Sequence, residues 1–222
     1  MMETIAVIDF ETTGMGPGIG AGRATEIAAV LVRQGEVVGS YQSLMNSGAY
    51  VPPFIERLTG ISNAMLAQAP PAELVMKEVA AFTHGMPLVA HNASFDRSFW
   101  HAELALAGCE PDPAHEFACT VLLARRLYPE APNCKLGSLK DFFDLPDAGR
   151  AHRALADATV TARLLVRMQR DLERRYAREL DGCGVDHGLL SKLQRASKLG
   201  LAACVRKHAA SWMRSRQLCL EA

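Results

Sequence analysis

Long uncharged apolar runs are missing from this chain. No stretch approaches the about eighteen residues a membrane-spanning helix needs. The first residues carry no basic region followed by an apolar run. Neither a membrane span nor a secretory leader is therefore expected, and the cytoplasm is the expected compartment. Zinc and redox cysteine spacings are missing as well. Cys109, Cys119, Cys134, Cys183, Cys204 and Cys219 contain no Cys-x-x-Cys pair, as suits scattered thiols in a reducing compartment. Aromatic residues make up 6% of the sequence, too few for the stacking platforms that bind single strands tightly without sequence preference. There is no internal repeat, no low-complexity tract and no net charge.

The zero net charge hides an asymmetry. Residues 1–166 hold 12 basic and 18 acidic side chains, and residues 167–222 hold 12 basic and 6 acidic, so the two parts are formally −6 and +6. An acidic body needs cations before a polyanion can approach it, and a basic tail could help to hold one. The plainer reading of the tail is a helix with solvated arginines. At 222 residues, 49% hydrophobic and 22% charged, the chain suits one well-packed globular domain with a small appendage.

The first apolar run, Ile5 to Ile8, stops at Asp9 as a buried central strand would. A glycine-rich loop follows from Gly14 to Gly22. It fits no Gly-x-Gly-x-x-Gly register and precedes a strand, which removes dinucleotide binding; its length suggests mobility over a site. Ile27–Val32 and Val37–Leu44, joined by Gln34-Gly35-Glu36, read as an antiparallel hairpin. Helical stretches are expected from Pro52 to Leu66 and from Pro71 to Gly85. A buried strand is expected at Pro87–Ala90, a helix over Ser94–Ala107 closed by Gly108, and a strand near Phe117 leading into a helix through Leu127. Leu136–Phe143 and a long amphipathic helix over Arg153–Leu180 complete the body. Asp181-Gly182-Cys183-Gly184 is read as the boundary between a domain over 1–180 and a basic helical tail over 181–222, whose last dozen residues are expected to fray. Three strands followed by strands alternating with helices predict an α/β fold with a mixed sheet flanked by helices.

Four acids fall in three of these segments: Asp9 and Glu11, Asp96, and Asp157 with His152 five residues before it. Carboxylates brought together from distant parts of a chain repel one another unless cations neutralise them. Such a collection is most simply a cage for hard divalent metals, which suits an enzyme acting on a phosphate ester. Asp9 and Glu11, two apart on a strand, point to one face while Phe10 points to the other. Thr12 and Thr13 offer hydroxyl and N–H donors, and Gly14 permits close backbone approach. Ser94 could simply cap its helix, with Asp96 complementing the dipole in the first turn, and His91 reads as a structural hydrogen-bonding residue. On an ideal helix His152 and Asp157 would point about 140° apart, so His152 must stand on the preceding loop.

Taken together, Asp9-Phe10-Glu11, Asp96 and His152–Asp157, in this order, resemble the signature of DEDDh-type 3′–5′ exonucleases of the DnaQ-like family. That family includes the proofreading ε subunit of bacterial DNA polymerase III. Leu58-Thr59-Gly60-Ile61 and Lys135-Leu136-Gly137-Ser138-Leu139 look like framework segments of the same family, and the resemblance covers about residues 3–170. It implies an RNase H-like five-stranded sheet, three strands antiparallel and two parallel. It also implies two divalent ions, Mg²⁺ or Mn²⁺, held by Asp9, Glu11, Asp96 and Asp157, with His152 as general base. Thr12, Thr13, Gly14 and, less directly, Asn92 would touch the substrate. The form of the motifs is closer to DNA-acting proofreading and repair members than to the ribonuclease branch, which implies single-stranded DNA or frayed 3′ ends as partners. A silent polymerase-binding module is disfavoured, since all five site residues are present. No polymerase or helicase segment accompanies the motifs, so a separate protein or a subunit is expected. Gln217-Leu218-Cys219-Leu220 resembles the short peptides that dock on sliding clamps.

Overall fold

Three antiparallel strands open the fold. In the computed structural model, which describes residues 3–18 and 22–220 with side chains as far as Gln217, β1 (Thr4–Thr12) pairs with β2 (Ala24–Arg33) and β2 with β3 (Glu36–Leu44). The β2–β3 turn holds Gln34 at φ 56° and Gly35 at φ 76°. Two successive left-handed residues give the turn a twist that matches its strands. β4 (Leu88–Ala90) and β5 (Phe117–Cys119) add in parallel, so the sheet order is β3-β2-β1-β4-β5. This is the five-stranded mixed sheet of the RNase H-like fold.

β1 does not stop at Asp9. Each residue from Thr4 to Glu11 has a partner on β2 before the register shifts at Thr12, so the ladder carries the strand through both acids. Alternation sorts its side chains into two layers. Ile5 and Val7 join Ala28, Val30 and Val32 on one face, and Ala6, Ile8 and Phe10 join Ile27, Ala29 and Leu31 on the other.

Helices cover both faces. α1 (Pro53–Thr59), α2 (Asn63–Ala67) and α3 (Ala72–Phe82) lead into β4, and α4 (Ser94–Leu106) leaves it. Val75 and Val79 of α3 and Phe99 and Trp100 of α4 fill the layer behind Phe10. Gly108 takes the left-handed conformation (φ 66°) just beyond the end of α4, as its place in the sequence suggested. α5 (Thr120–Leu127), α6 (Leu136–Phe142) and α7 (Ala154–Arg175) cover the opposite face. The long helix expected through Leu180 breaks at Tyr176, whose ring packs on the core, and resumes as α8 (Ala177–Leu180).

Residues beyond Asp181–Gly184 share the core of the sheet. α9 (His187–Leu193) and α10 (Leu201–Leu220) bury Leu189, Leu190, Leu193, Leu201 and Val205 in the cluster that holds Val7 and Val30. The His187 N–H donates to the Glu3 carboxylate at 2.7 Å, and its Nε2 meets the Leu88 carbonyl at 3.0 Å. α10 continues to Leu220 where fraying was expected. The side chains of Leu218, Cys219 and Leu220, in the clamp-like peptide, lie outside the described residues. Among those described, no helix is long and apolar enough to cross a membrane.

β5 is an edge strand, and one side chain closes it. Gln194, buried just after α9, accepts from the Cys119 N–H at 2.8 Å and donates to the Phe117 carbonyl at 3.3 Å. Its amide thus copies the pairing of a sixth strand. Gln194→Ala leaves the Cys119 N–H buried without a partner, and the expected loss is about 1–3 kcal/mol. Urea denaturation would show it as a lower midpoint with an unchanged slope; an unaltered midpoint would mean that water serves the edge equally well.

Candidate active site

The acids gather where β1 outruns β4. The Ala6 N–H donates to Pro87 just before β4 at 3.0 Å, so the even-numbered N–H groups of β1 face that strand. β4 ends at Ala90, which leaves the Phe10 N–H with no strand partner, and Asp96 supplies one: its Oδ1 accepts at 3.2 Å. Ser94 does not cap α4. Ala93 takes the cap position without a side-chain bond, and the first turn instead points the buried Asp96 at β1. Asp9 and Glu11 share the opposite face of β1 from Phe10, with Glu11 buried and Asp9 half-buried.

Burial and mutual repulsion hold these carboxyls towards the protonated form. Glu11 is pushed up to about 8, by burial first and then by Asp157 and Glu26. Asp96 is raised to about 7 by burial, against the pull of the Phe10 N–H. Asp9 lies well above the usual carboxylate range, through burial and then through Asp96, Glu11, Asp157 and Glu26. Burial also raises Asp157, opposed by the His152 N–H. Among the described residues none of the four forms an ion pair with Lys or Arg. A set of oxygens so placed fits a hard divalent cation.

His152 stands on the loop before α7, as the helical angle required. It is exposed, with left-handed backbone at φ 59°, and its N–H donates to Asp157 Oδ2 at 3.1 Å. One ligand atom each from Glu11, His152 and Asp157 lie within 4.8 Å of one another. Asp9 and Asp96 fall outside that trio and border it through β1. Beside His152 and Asp157 opens a cavity of 510 Å³ that also reaches Lys135 and Ser138 of the framework segment.

The other sequence-predicted residues divide. The Thr12 hydroxyl donates to the Gly14 carbonyl at 2.7 Å. Thr13 binds Arg23 twice, by its N–H to the Arg23 carbonyl at 2.9 Å and by its hydroxyl oxygen from the Arg23 N–H at 3.0 Å. Both threonines thus shape the loop: the Thr12 hydroxyl and the Thr13 N–H are spent as donors, while the Thr13 hydroxyl, bonded as an acceptor, keeps its O–H. Gly22 seals it: a Cβ there would come within 2.6 Å of the Gly16 carbonyl. Mobility was expected of the whole loop; residues 19–21 lie outside the described residues. Asn92 is exposed and left-handed (φ 68°) on the rim. His91 meets the Thr120 hydroxyl at 2.8 Å and the Cys134 carbonyl at 3.0 Å, and burial lowers it to about 4. It is a neutral structural residue.

Two buried glutamates escaped the sequence reading. Glu26 lies directly across the ladder from Glu11, a like-charge pairing that destabilises a sheet. Arg153 relieves it, donating from Nε at 3.0 Å and Nη2 at 2.7 Å, while the Ala154 N–H at the start of α7 also donates to Glu26 at 3.0 Å. Burial alone would raise Glu26, but these bonds bring it below its ordinary value. One carboxylate thereby fixes the Arg153 side chain and the first N–H of α7, directly after His152. Glu103 of α4 does the same for the glycine loop, accepting from Arg23 Nε and Nη2 at 2.9 and 3.0 Å and from the Ala24 N–H at 3.0 Å. The available signal was a lone acid in each apolar stretch. Arg150 supports the His152 loop from below, over the bare Gly60 of Leu58-Thr59-Gly60-Ile61; Arg150 Nη2 donates to the Arg57 carbonyl at 3.3 Å.

Two outcomes follow from this electrostatics. Arg153→Met strands Glu26 as a buried unpaired charge and is expected to cost about 3–5 kcal/mol. The double change with Glu26→Gln should recover much of that loss in chemical denaturation. Carboxyls raised in the folded state stabilise it at low pH and lose that contribution as pH rises through their folded values. The metal-free protein is therefore expected to melt at progressively lower temperature as pH rises through 7 and 8. Mg²⁺ or Mn²⁺ should raise the melting temperature more at pH 8 than at pH 6. A melting temperature in EDTA that is flat across this window would contradict the raised carboxyls described.

Comparison with known proteins agrees with the geometry. A family model described as Exonuclease (RNase_T) matches residues 6–165. The chain is 36% identical over 172 residues to the 3′-5′ exonuclease DinG of Bacillus subtilis, covering 78% of this chain and 18% of that protein. It is also 36% identical over 172 residues to the PolC-type DNA polymerase III of Bacillus cereus, covering 77% and 12%. The chain thus spans less than a fifth of the length of these relatives. Among solved structures, Exonuclease X in complex with 5′ overhanging duplex DNA superposes with a TM-score of 0.59 at 32% identity, over 75% of this chain and 91% of that one. The chain therefore belongs to the DEDDh-type exonuclease family.

Proposed function

We propose that this chain is a metal-dependent 3′–5′ exonuclease that releases nucleoside 5′-monophosphates from DNA 3′ ends in proofreading or repair. The observation that carries the reading is the meeting of Glu11, His152 and Asp157 within 4.8 Å, bordered by Asp9 and Asp96. Asp9, Glu11, Asp96 and Asp157 would hold two divalent ions, Mg²⁺ or Mn²⁺, which supply charge neutralisation and a more acidic attacking water when bound. His152 takes the proton of that water as general base; its exposed loop position gives the imidazole access to solvent, and the Asp157 carboxylate fixes its backbone. Asp96, tied to the Phe10 N–H, and Glu26, tied to Arg153, hold the segments in register for in-line attack. Thr12, Thr13 and Gly14 shape the wall that receives the terminal nucleotide, and Asn92 meets the strand at the rim.

DNA is favoured as substrate by the PolC-type polymerase and DinG relatives and by the duplex DNA bound to Exonuclease X. The PolC-type relative also favours a replicative polymerase as partner. Docking of the C-terminal tail on a sliding clamp remains the weaker partner reading, carried by four residues of sequence.

The test is direct. Single strands of DNA and RNA labelled at the 5′ end are incubated with Mg²⁺ or Mn²⁺. DNA should shorten stepwise from its 3′ end, and EDTA or Asp9→Ala should abolish the ladder. His152→Ala is expected to lose about 10²–10⁴-fold in rate. Faster trimming of RNA would reassign the substrate, and full activity of His152→Ala would remove its role as base.

A further inference from the structure

We infer that Arg97, Arg125 and Arg195 form a phosphate-gripping subsite for the nucleic-acid backbone, built jointly by the nuclease body and the C-terminal segment. The three line one cavity of 340 Å³ with Asn92 and Gln194. None of its lining residues is acidic, whereas four other cavities of the molecule are each lined by at least two carboxylates. All three arginines are exposed, and among the described residues none has an ion-pair partner. Arg97 and Arg125 come from the part of formal charge −6 and Arg195 from the basic last part; three unpaired guanidinium groups around one hollow repel each other, and a polyanion removes that repulsion.

Position and rigidity point the same way. β1, β4 and β5 run parallel, so their C-terminal ends share one rim, where ligands of open α/β sheets collect. The carboxylates stand at the end of β1 and just past β4; the cavity stands just past β4 and β5. Asp96 and Arg97 are neighbours on α4, the first turned to β1 and the second to the cavity. Arg195 is held between two pinned residues, Gln194 on the β5 edge and Ala196, whose carbonyl accepts from Arg126 Nε at 2.7 Å. The backbone that carries Arg195 is thus fixed before binding, and its guanidinium can match phosphate bidentately. The ligand is the phosphodiester backbone upstream of the 3′ end.

This inference rests on the nuclease reading, and binding can be measured apart from turnover. Affinity for a labelled oligothymidylate is followed by fluorescence anisotropy across a salt series, with Ca²⁺ as the divalent ion. Each single-strand phosphate contact contributes about 0.7 to the slope of log affinity against log salt. Arg97→Gln/Arg125→Gln/Arg195→Gln should therefore flatten the slope by about 2, and the corresponding lysine triple should retain most of it. In Mg²⁺ the glutamine triple should raise KM with kcat unchanged. Arg206→Gln/Arg214→Gln, removing charge from α10, serves as control. An unaltered slope in the triple, or an equal flattening in the control, overturns the subsite. A slope lost in the triple from a protein that shortens no strand would keep the subsite and sink the nuclease reading.

Discussion

Mutual repulsion of carboxylates is the constraint around which the molecule is organised. Four acids are crowded at the end of one strand, and a fifth, Glu26, faces Glu11 across the ladder. The fold resolves this in two different ways. Glu26 is neutralised outright by Arg153 and by the first N–H of α7. Asp9, Glu11, Asp96 and Asp157 form no ion pair with Lys or Arg among the described residues and are left with raised affinities for protons. One acid is therefore structural and the other four remain available to a cation. A single ion pair draws that line.

The architecture follows from where hydrogen bonds run out. β1 continues past the end of β4 because β2 accompanies it, and the unmatched Phe10 N–H recruits Asp96 from another helix. Arg153, Ala154 and Arg150 anchor the loop that holds His152 in a left-handed backbone, which costs a non-glycine residue energy and persists only when its surroundings fix it. The residue proposed as base is thus one of the positions that carry such strain, between anchors on β2 and α1.

Much of this was legible in the sequence, for identifiable reasons. Apolar runs and turn residues located the five strands, and Asp9-Phe10-Glu11 declared its face through period-two geometry. The displacement of His152 from its helix followed from the 140° angle alone. Elements defined by remote partners were harder to read. Nothing local reveals that β2 extends the pairing past Ile8, that Tyr176 leaves the helix to pack on the core, or that Thr12 and Thr13 spend polar groups on their own loop. Glu26 and Glu103 are invisible to motif reading because their function is to hold arginines at 153 and 23. The basic composition of the last 56 residues spoke of solvent and gave no hint of the apolar stripe that α9 and α10 bury.

The amide of Gln194 closes the sheet at a point far beyond the residues shared with the family model. A sheet edge left bare invites another strand to add to it. Here the group that stops it comes from a segment beyond the family match, a hem stitched onto the common fabric. The stitch also sets the neighbouring Arg195 beside the strand ends, so under the proposed subsite a stretch outside the family match has a hand in how far upstream a bound strand is felt.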